Sequence, residues 1–538
     1  MSCAPHRISV VPSHRGPILI TDSSGIIDVL AEGLAIWPVV IPLAAAALTL
    51  LLRRWPTLQR SVMEVAVAMM LVAAAVLLAR TRNGEAIVMK FGGWGKPFGV
   101  TFVADMLSAM LCTAAGTVAL AVAIFARADV RARRRRAGFD ALFLGMLAAV
   151  NGAFLTGDLF NLYVWFELML ATALGLVTLD RRRAQIDGAL RYAAMSMMGA
   201  TFMLVGIGLL YGETGTLDLV HLSTTLARGE PSVTSSVAAY LLLAGLLLKA
   251  GLFPLFFWLP ASYHTAPISV AAALAGLLTK VAFYACLRVF VLVFGVGAHM
   301  PVVSGMPPLF ALLAAATMLV SVFAAIAQVD VRRLLAFHVV GQVAYLVMGL
   351  ALASWQGSAA AIFYTVHTML VQTGLFLGAG AIGRAGGGFD LRVLGGLIRE
   401  HPRFSVLFAA LALSISGVPP LSGFWAKALV IDAAFRSGTP GAAWLVVAAL
   451  ATGFLTLYSM STLWTQAFWR PRARAPHAAR AIPVAMVTGV ALMAACTLGL
   501  GLAIEPAVRL SRAAATQLGA GVTLPNGTTS AGASGTVP

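Results

Sequence analysis

Residues 240–280 read YLLLAGLLLKAGLFPLFFWLPASYHTAPISVAAALAGLLTK, two long apolar runs joined by a polar turn. Each run approaches the ~20 residues needed to cross the roughly 30 Å hydrocarbon core of a bilayer. The first is interrupted by Pro254 and carries Lys249, and the second closes on Lys280. An ammonium group at such a depth costs several kcal/mol unless it is paired or hydrated. The needs of a packed apolar helix therefore explain neither the lysines nor the interruption.

Working outward, apolar runs of spanning length recur at about 34–52, 62–79, 102–126, 139–156, 159–179, 190–211, 237–259, 268–290, 308–327, 333–353, 358–382, 404–431, 443–467 and 481–503. The reading is an all-α polytopic membrane protein of about fourteen transmembrane helices. Composition agrees: 60% of the 538 residues are hydrophobic and 11% charged, with mean hydropathy +0.91. The formal charge is +17, but the basic residues fall in short clusters between apolar runs rather than on one face with interleaved aromatics. That pattern sets membrane orientation and excludes nucleic acid as a partner. Loops after the odd-numbered spans hold about twice the Lys and Arg of the other face, led by Arg131 and Arg133 to Arg136, which predicts both termini outside the cell inner (plasma) membrane.

Cys3, Cys112, Cys286 and Cys496 are far apart and lack CxxC spacing, so this chain alone builds neither an iron–sulfur cluster nor a thiolate zinc site. A glycine-rich phosphate loop is also missing. Neither metal nor organic cofactor is implied. Pro12, Pro17 and Asp22 break up the first thirty residues, so an extension rather than a cleavable signal peptide is expected there.

The organisation that follows is an N-terminal extension at 1–33, three helices with a surface hairpin at 34–130, a first repeat of helices four to eight at 131–300, a second repeat of helices nine to thirteen at 301–470, helix fourteen at 471–510 and a disordered tail at 511–538. The hairpin is read from the alternation in AIVMKFGGWGKPFGVTF around Gly92, Gly93 and Gly95. The repeat is read from the seventh span and the twelfth, LALSISGVPPLSGFWAKALV (residues 411–430). Both are broken by proline near the middle, and both carry one lysine beside the break. Broken segments in corresponding places of two halves point to a transport site on an inverted repeat. A pair of plain proline kinks would be the simpler alternative.

The chain holds five lysines against thirty-two arginines, yet Lys249, Lys280 and Lys427 all fall inside predicted spans. Lysine, unlike arginine, can shed its proton when buried, so it can serve as a proton carrier where arginine is a fixed charge. Glu167, in GDLFNLYVWFELMLATALGL, lies eight residues into the fifth span, roughly 12 Å down it. It is read as the only carboxylate so deeply placed. Near Lys249, each group would favour the other's charged form, so withdrawing the carboxylate's charge would favour release of the lysine's proton. His264, His338 and His367 are candidate relays because histidine titrates near neutral pH. A neutral histidine bonded to a neighbouring helix is the alternative for each, and a static ion pair the alternative for Glu167 and Lys249. His221 reads as a loop residue.

NLYVWFEL around Glu167, the run from Lys249 to Lys280, RRLLAFHVVGQ from Arg332 and SGVPPLSGFWAK ending at Lys427 together resemble the antiporter-like family. Multisubunit monovalent cation/proton antiporters share that family with the proton-pumping membrane arm of respiratory complex I. The resemblance spans about residues 100–470. It implies that Glu167 and Lys249 form a modulating pair, that Lys280 continues a hydrophilic axis and that Lys427 ends it near an exit. Lysine rather than glutamate at 427, and no residues left for a lateral helix after the last span, tilt the resemblance toward the D-type antiporter subunits. The implied partners are the other antiporter subunits, the bilayer, protons, and sodium or another monovalent cation. The family usually carries a lysine where VQTGLF has Gln372, and glutamine does not titrate near neutral pH. A relay through this point would have to use water, His367 or His338.

Overall fold

Aspartates begin several of the long helices. Asp105 accepts a hydrogen bond from the Ser108 amide at 2.8 Å, Asp158 from Asn161 at 2.7 Å, and Asp330 from the amides of Arg332 and Arg333 at 2.9 and 3.2 Å. Each satisfies donors that a first helical turn leaves open, a requirement made strict by the absence of water in a bilayer. The computed structural model describes residues 33–91, 99–229, 232–295, 305–439, 441–471 and 481–520. The extension at 1–32 and the glycine turn of the hairpin lie outside them.

The long helices are α1 (Trp37–Leu51), α2 (Pro56–Thr81), α3 (Met106–Asp129), α4 (Phe139–Leu155), α5 (Leu159–Val177), α6 (Arg183–Thr214), α7a (Val233–Ala250) continued by α7b (Trp258–Tyr263), α8 (Ile268–Cys286), α9 (Met306–Ile326), α10 (Val331–Ala351), α11 (Trp355–Gly386), α12a (Pro402–Ser416), α12b (Ser422–Ser437), α13 (Ala442–Trp464), α14 (Val484–Leu502) and α15 (Ile504–Ala520). Among the described residues, twelve helical segments are long and apolar enough to cross a membrane, with α7a and α7b counted as one. The shorter apolar helices α4 and α12a stand where the fourth and twelfth spans were expected. The only strands among the described residues, β1 (Ile87–Lys90) and β2 (Thr101–Ala104), pair antiparallel where the hairpin was expected.

All of α8 is buried, and so is nearly all of α10 and α11. Around them, α1, α2, α6, α9 and α13 turn large apolar side chains outward, among them Leu51, Val72, Met197, Phe323 and Phe454. In water such a surface would associate; against lipid tails it needs no cover.

The two halves repeat local devices in the same order. Isolated bridges pair Asp158 with Asp218 and Asp330 with Asp390, sixty residues apart in each half. Both α6 and α11 run 32 residues, and α8 and α13 both end in a π-helical turn, Leu287–Val293 and Thr465–Trp469. The proline breaks lie between α7a and α7b and between α12a and α12b. Gly251 and Gly417 stop the preceding helix with φ of +77° and +90°, values that favour glycine.

Two expectations are corrected. Composition predicts a disordered tail from residue 511, but α15 continues to Ala520. Its Ala514, Ala515 and Leu518 are buried, and the Gln517 side chain accepts from the Met106 amide at 3.1 Å and donates to the Gly84 carbonyl at 3.0 Å. The Gly- and Ser-rich composition belongs to residues 521–538, which lie outside the described residues. His221 is not in a loop: it sits on a ten-residue amphipathic helix, Leu219–Arg228, capped by Asp218.

Candidate functional site

Lys249 is the last residue but one of α7a, two positions before Gly251. Close approach of α6 and α7a sets its surroundings: a Cβ on Gly245 would lie 2.6 Å from the Gly199 carbonyl and 2.7 Å from Met203. The Lys249 Nζ therefore reaches across α6, within 3.4 Å of Ser196 Oγ and 3.5 Å of its carbonyl. Glu167 Oε1 on α5 lies 3.7 Å from the amine, and the Phe166 ring centre lies 5.2 Å away. A cavity of about 20 Å³, lined by Lys249, Ser196, Tyr192 and Phe166 among others, adjoins the amine. That is room for about one water molecule.

Lys280 on α8 is completely enclosed. Its Nζ donates to the Ala275 carbonyl at 2.6 Å and to the Gln372 side-chain oxygen on α11. It forms no ion pair among the described residues, and the Gln372 amide nitrogen is buried without a partner. Gln372 thus meets the amine without a titrating group of its own. Gln372→Leu is expected to slow any transport through Lys280 by about tenfold. That is the rate equivalent of about 1.5 kcal/mol for a hydrogen bond to a charged group, read in vesicles with assembly checked by size exclusion. An unchanged rate would remove Gln372 from the path.

Lys427, one turn into α12b, turns back to the break. Its Nζ donates to the Ser416 carbonyl at 2.9 Å and lies 5.5 Å from the Tyr345 ring centre. Tyr345 stacks on Tyr364, which donates to Gln342 at 2.6 Å and stands edge-on to His367. His367 Nδ1 lies 2.8 Å from Ser422 Oγ, while its other ring nitrogen is buried and unpartnered. Ser422 continues into a hydroxyl cluster with Thr497 and Ser414. His338 Nε2 meets Ser459 Oγ at 3.0 Å. His264 instead bonds the Pro260 carbonyl of its own turn at 2.6 Å, and no hydrogen bond or ion pair joins it to a candidate lysine among the described residues.

The structure thus joins Glu167 with Lys249, Lys280 with Gln372, and Lys427 with the tyrosine–histidine cluster. Sequence reasoning missed Ser196, Gln342, Tyr345, Tyr364 and Ser422, because single uncharged side chains carry no depth signal. It also overrated the seclusion of Glu167, whose side chain is 35% exposed. Among the described residues Asp105 and Asp140 are the most enclosed carboxylates, paired with Arg288 and Arg135. Both sit near helix starts, where position along the span gives no sign of enclosure.

Residues 156–456, a stretch containing all four of Glu167, Lys249, Lys280 and Lys427, match the family described as NADH:quinone oxidoreductase/Mrp antiporter, transmembrane region. The chain belongs to that family. The D-type subunit of an Na(+)/H(+) antiporter from Alkalihalophilus pseudofirmus is 36% identical to it over 488 residues, covering 90% of this chain and 97% of the relative. A chain in the structure of the Mrp complex from Dietzia sp. DQ12-45-1b is 30% identical with a TM-score of 0.84, covering 91% and 98% of the two chains. A chain of respiratory complex I from Thermus thermophilus is 28% identical with a TM-score of 0.70, covering 88% and 99%. This NADH:quinone oxidoreductase/Mrp antiporter chain is therefore a multi-pass membrane protein with the fold of those relatives.

Proposed function

We propose that this chain is the proton-translocating, D-type subunit of a multisubunit Na+/H+ antiporter in the cell inner membrane, with both termini outside. The observation that carries the reading is Glu167 Oε1 at 3.7 Å from the Lys249 amine beside the helix break, with Lys280 and Lys427 buried farther along and in no ion pair among the described residues. Glu167 sets the proton occupancy of Lys249, Lys280 relays, and Lys427 exchanges with the far side. His367 and His338 serve the segment around Lys427, bridged by water where Gln372 interrupts the titrating groups. Residues 131–300 and 301–470 act as the two repeats, each an odd number of crossings and so oppositely directed. His264 has a structural role at its turn.

Partners follow from the site itself. Glu167 keeps a third of its side chain uncovered on α5, one turn after the outward-facing Val164. A carboxylate facing hydrocarbon is costly, so another subunit covers it in the assembled antiporter.

The test uses everted vesicles from antiporter-deficient cells expressing this chain with its genomic neighbours. Added sodium is expected to dissipate the pH gradient, with no dependence on NADH or quinone. Proton movement that follows quinone reduction instead of sodium would assign the chain to a redox-driven pump, the role that the likeness to the complex I chain supports.

A further inference from the structure

Two cavities meet beneath α15. The first, about 210 Å³, is a cleft between α3, α11 and α14, walled by Met110, Phe363, Leu370 and Leu500 and roofed by Ala507 and Leu510 of α15. It runs from Phe363 to Leu370 along α11, about 10 Å of depth at helical rise. The second, about 280 Å³, is polar and bounded by Arg436 and Asp432 of α12b, Arg512 of α15 and Trp355 at the start of α11. Phe363 and Ser511 line both, so one opens beside the other.

We propose that this paired site binds one glycerophospholipid, its acyl chain in the cleft and its phosphate on Arg512 and Arg436. Charge complementarity selects the occupant. Arg436 pairs with Asp432 at 2.9 Å, whereas Arg512 has no ion pair among the described residues, leaving the mouth with one uncompensated guanidinium. Arginine binds phosphate oxygens through its planar fork. Trp355 is half-exposed at the same mouth, and tryptophan favours the headgroup level of a bilayer. The cleft behind is apolar, as a hydrocarbon tail requires, and the two volumes together fall in the range of about 300–1,000 Å³ usual for a bound organic ligand. A soluble anion would use the mouth and leave the cleft empty.

The structure also supplies a reporter. Cys496 lines the cleft and is partly exposed, while Cys112 and Cys286 are buried. The experiment takes the assembled complex, delipidated by detergent washing and returned to phosphatidylcholine vesicles doped with a diazirine-tailed phosphatidylglycerol. Photolabel is expected to concentrate on α14 and α15 peptides, to be competed by unlabelled phosphatidylglycerol but not by inorganic phosphate, and to fall several-fold in Arg512→Gln. Ala507→Trp, which fills the cleft from its peripheral roof, should abolish it. Alkylation of Cys496 should be fast after delipidation and slow once the lipid is restored. Label spread evenly over α9 and α13, label indifferent to Arg512→Gln, or competition by inorganic phosphate would overturn the proposal. So would protection of Cys496 in the delipidated complex, which would mean that another subunit or residues 521–538 fill the cleft.

Discussion

Lys249→Ala is expected to reduce sodium-dependent proton movement to the background of empty vesicles while the complex still purifies intact. The side chain is nearly enclosed, with its stem beside Gly199 and its amine near Phe166, Ser196 and Glu167, so truncation removes a proton site at the cost of one flexible side chain's packing. At 3.7 Å, Glu167 is the carboxylate that faces the Lys249 amine. Withdrawing the carboxylate charge by Glu167→Gln should therefore impair transport severely as well. The informative variant is Lys249→Arg. Arginine can keep the pair with Glu167 and support assembly, but it does not release its proton. Transport near the wild-type rate in Lys249→Arg would mean that the pair is a static brace and that the proton passes elsewhere. Loss of assembly in Lys249→Ala and Glu167→Ala together would point the same way.

The second large effect concerns stability. Arg288, on the π-helical extension of α8, donates to Asp105 at 2.6 Å, to Tyr284 at 2.8 Å and to Ser108 at 2.9 Å, with both charged side chains almost fully buried. Tyr284 in turn donates to the Phe154 carbonyl at 2.6 Å, so the group ties α3, α4 and α8 together. Arg288→Leu leaves Asp105 enclosed and unpaired, at a cost of about 3–5 kcal/mol. That is a large share of the total stability of about 5–15 kcal/mol usual for folded proteins. The expected result is failure to accumulate as a monodisperse complex, read by fluorescence-detected size exclusion. Combining it with Asp105→Asn should recover much of the yield, because the amide carries no charge to be stranded and keeps a side-chain oxygen for the Ser108 N–H. If Arg288→Leu assembles normally but transports slowly, the pair belongs to the proton path and not to the scaffold.

Arg288 and Lys249 mark the boundary of what the sequence carries. A lone lysine in an apolar run is conspicuous because lipid makes its charge costly wherever the helix packs, so Lys249, Lys280 and Lys427 stand out from hydropathy alone. Arg288 lies at the end of such a run, where an arginine could as well reach for the interface. The structure instead folds it inward onto Asp105. Gln372 was visible only as a departure from a resembling phrase, and its contact with Lys280 required the packing of α8 on α11.

Linear order was enough for the all-helical membrane class, nearly all the span positions, the hairpin, both proline breaks and the lysines beside them. Those features follow from hydropathy and backbone chemistry, which act along the chain within about twenty residues. Packing in three dimensions selects the group that answers each buried charge: Ser196 and Glu167 for Lys249, Gln372 for Lys280, Ser416 and Tyr345 for Lys427. It also makes residues 511–520 continue α15 and bury Ala514, Ala515 and Leu518 rather than trail as coil. Most of these pairings join residues dozens of positions apart. Only helix-on-helix packing, set by close approaches such as that of Gly199 and Gly245, brings them within hydrogen-bonding reach.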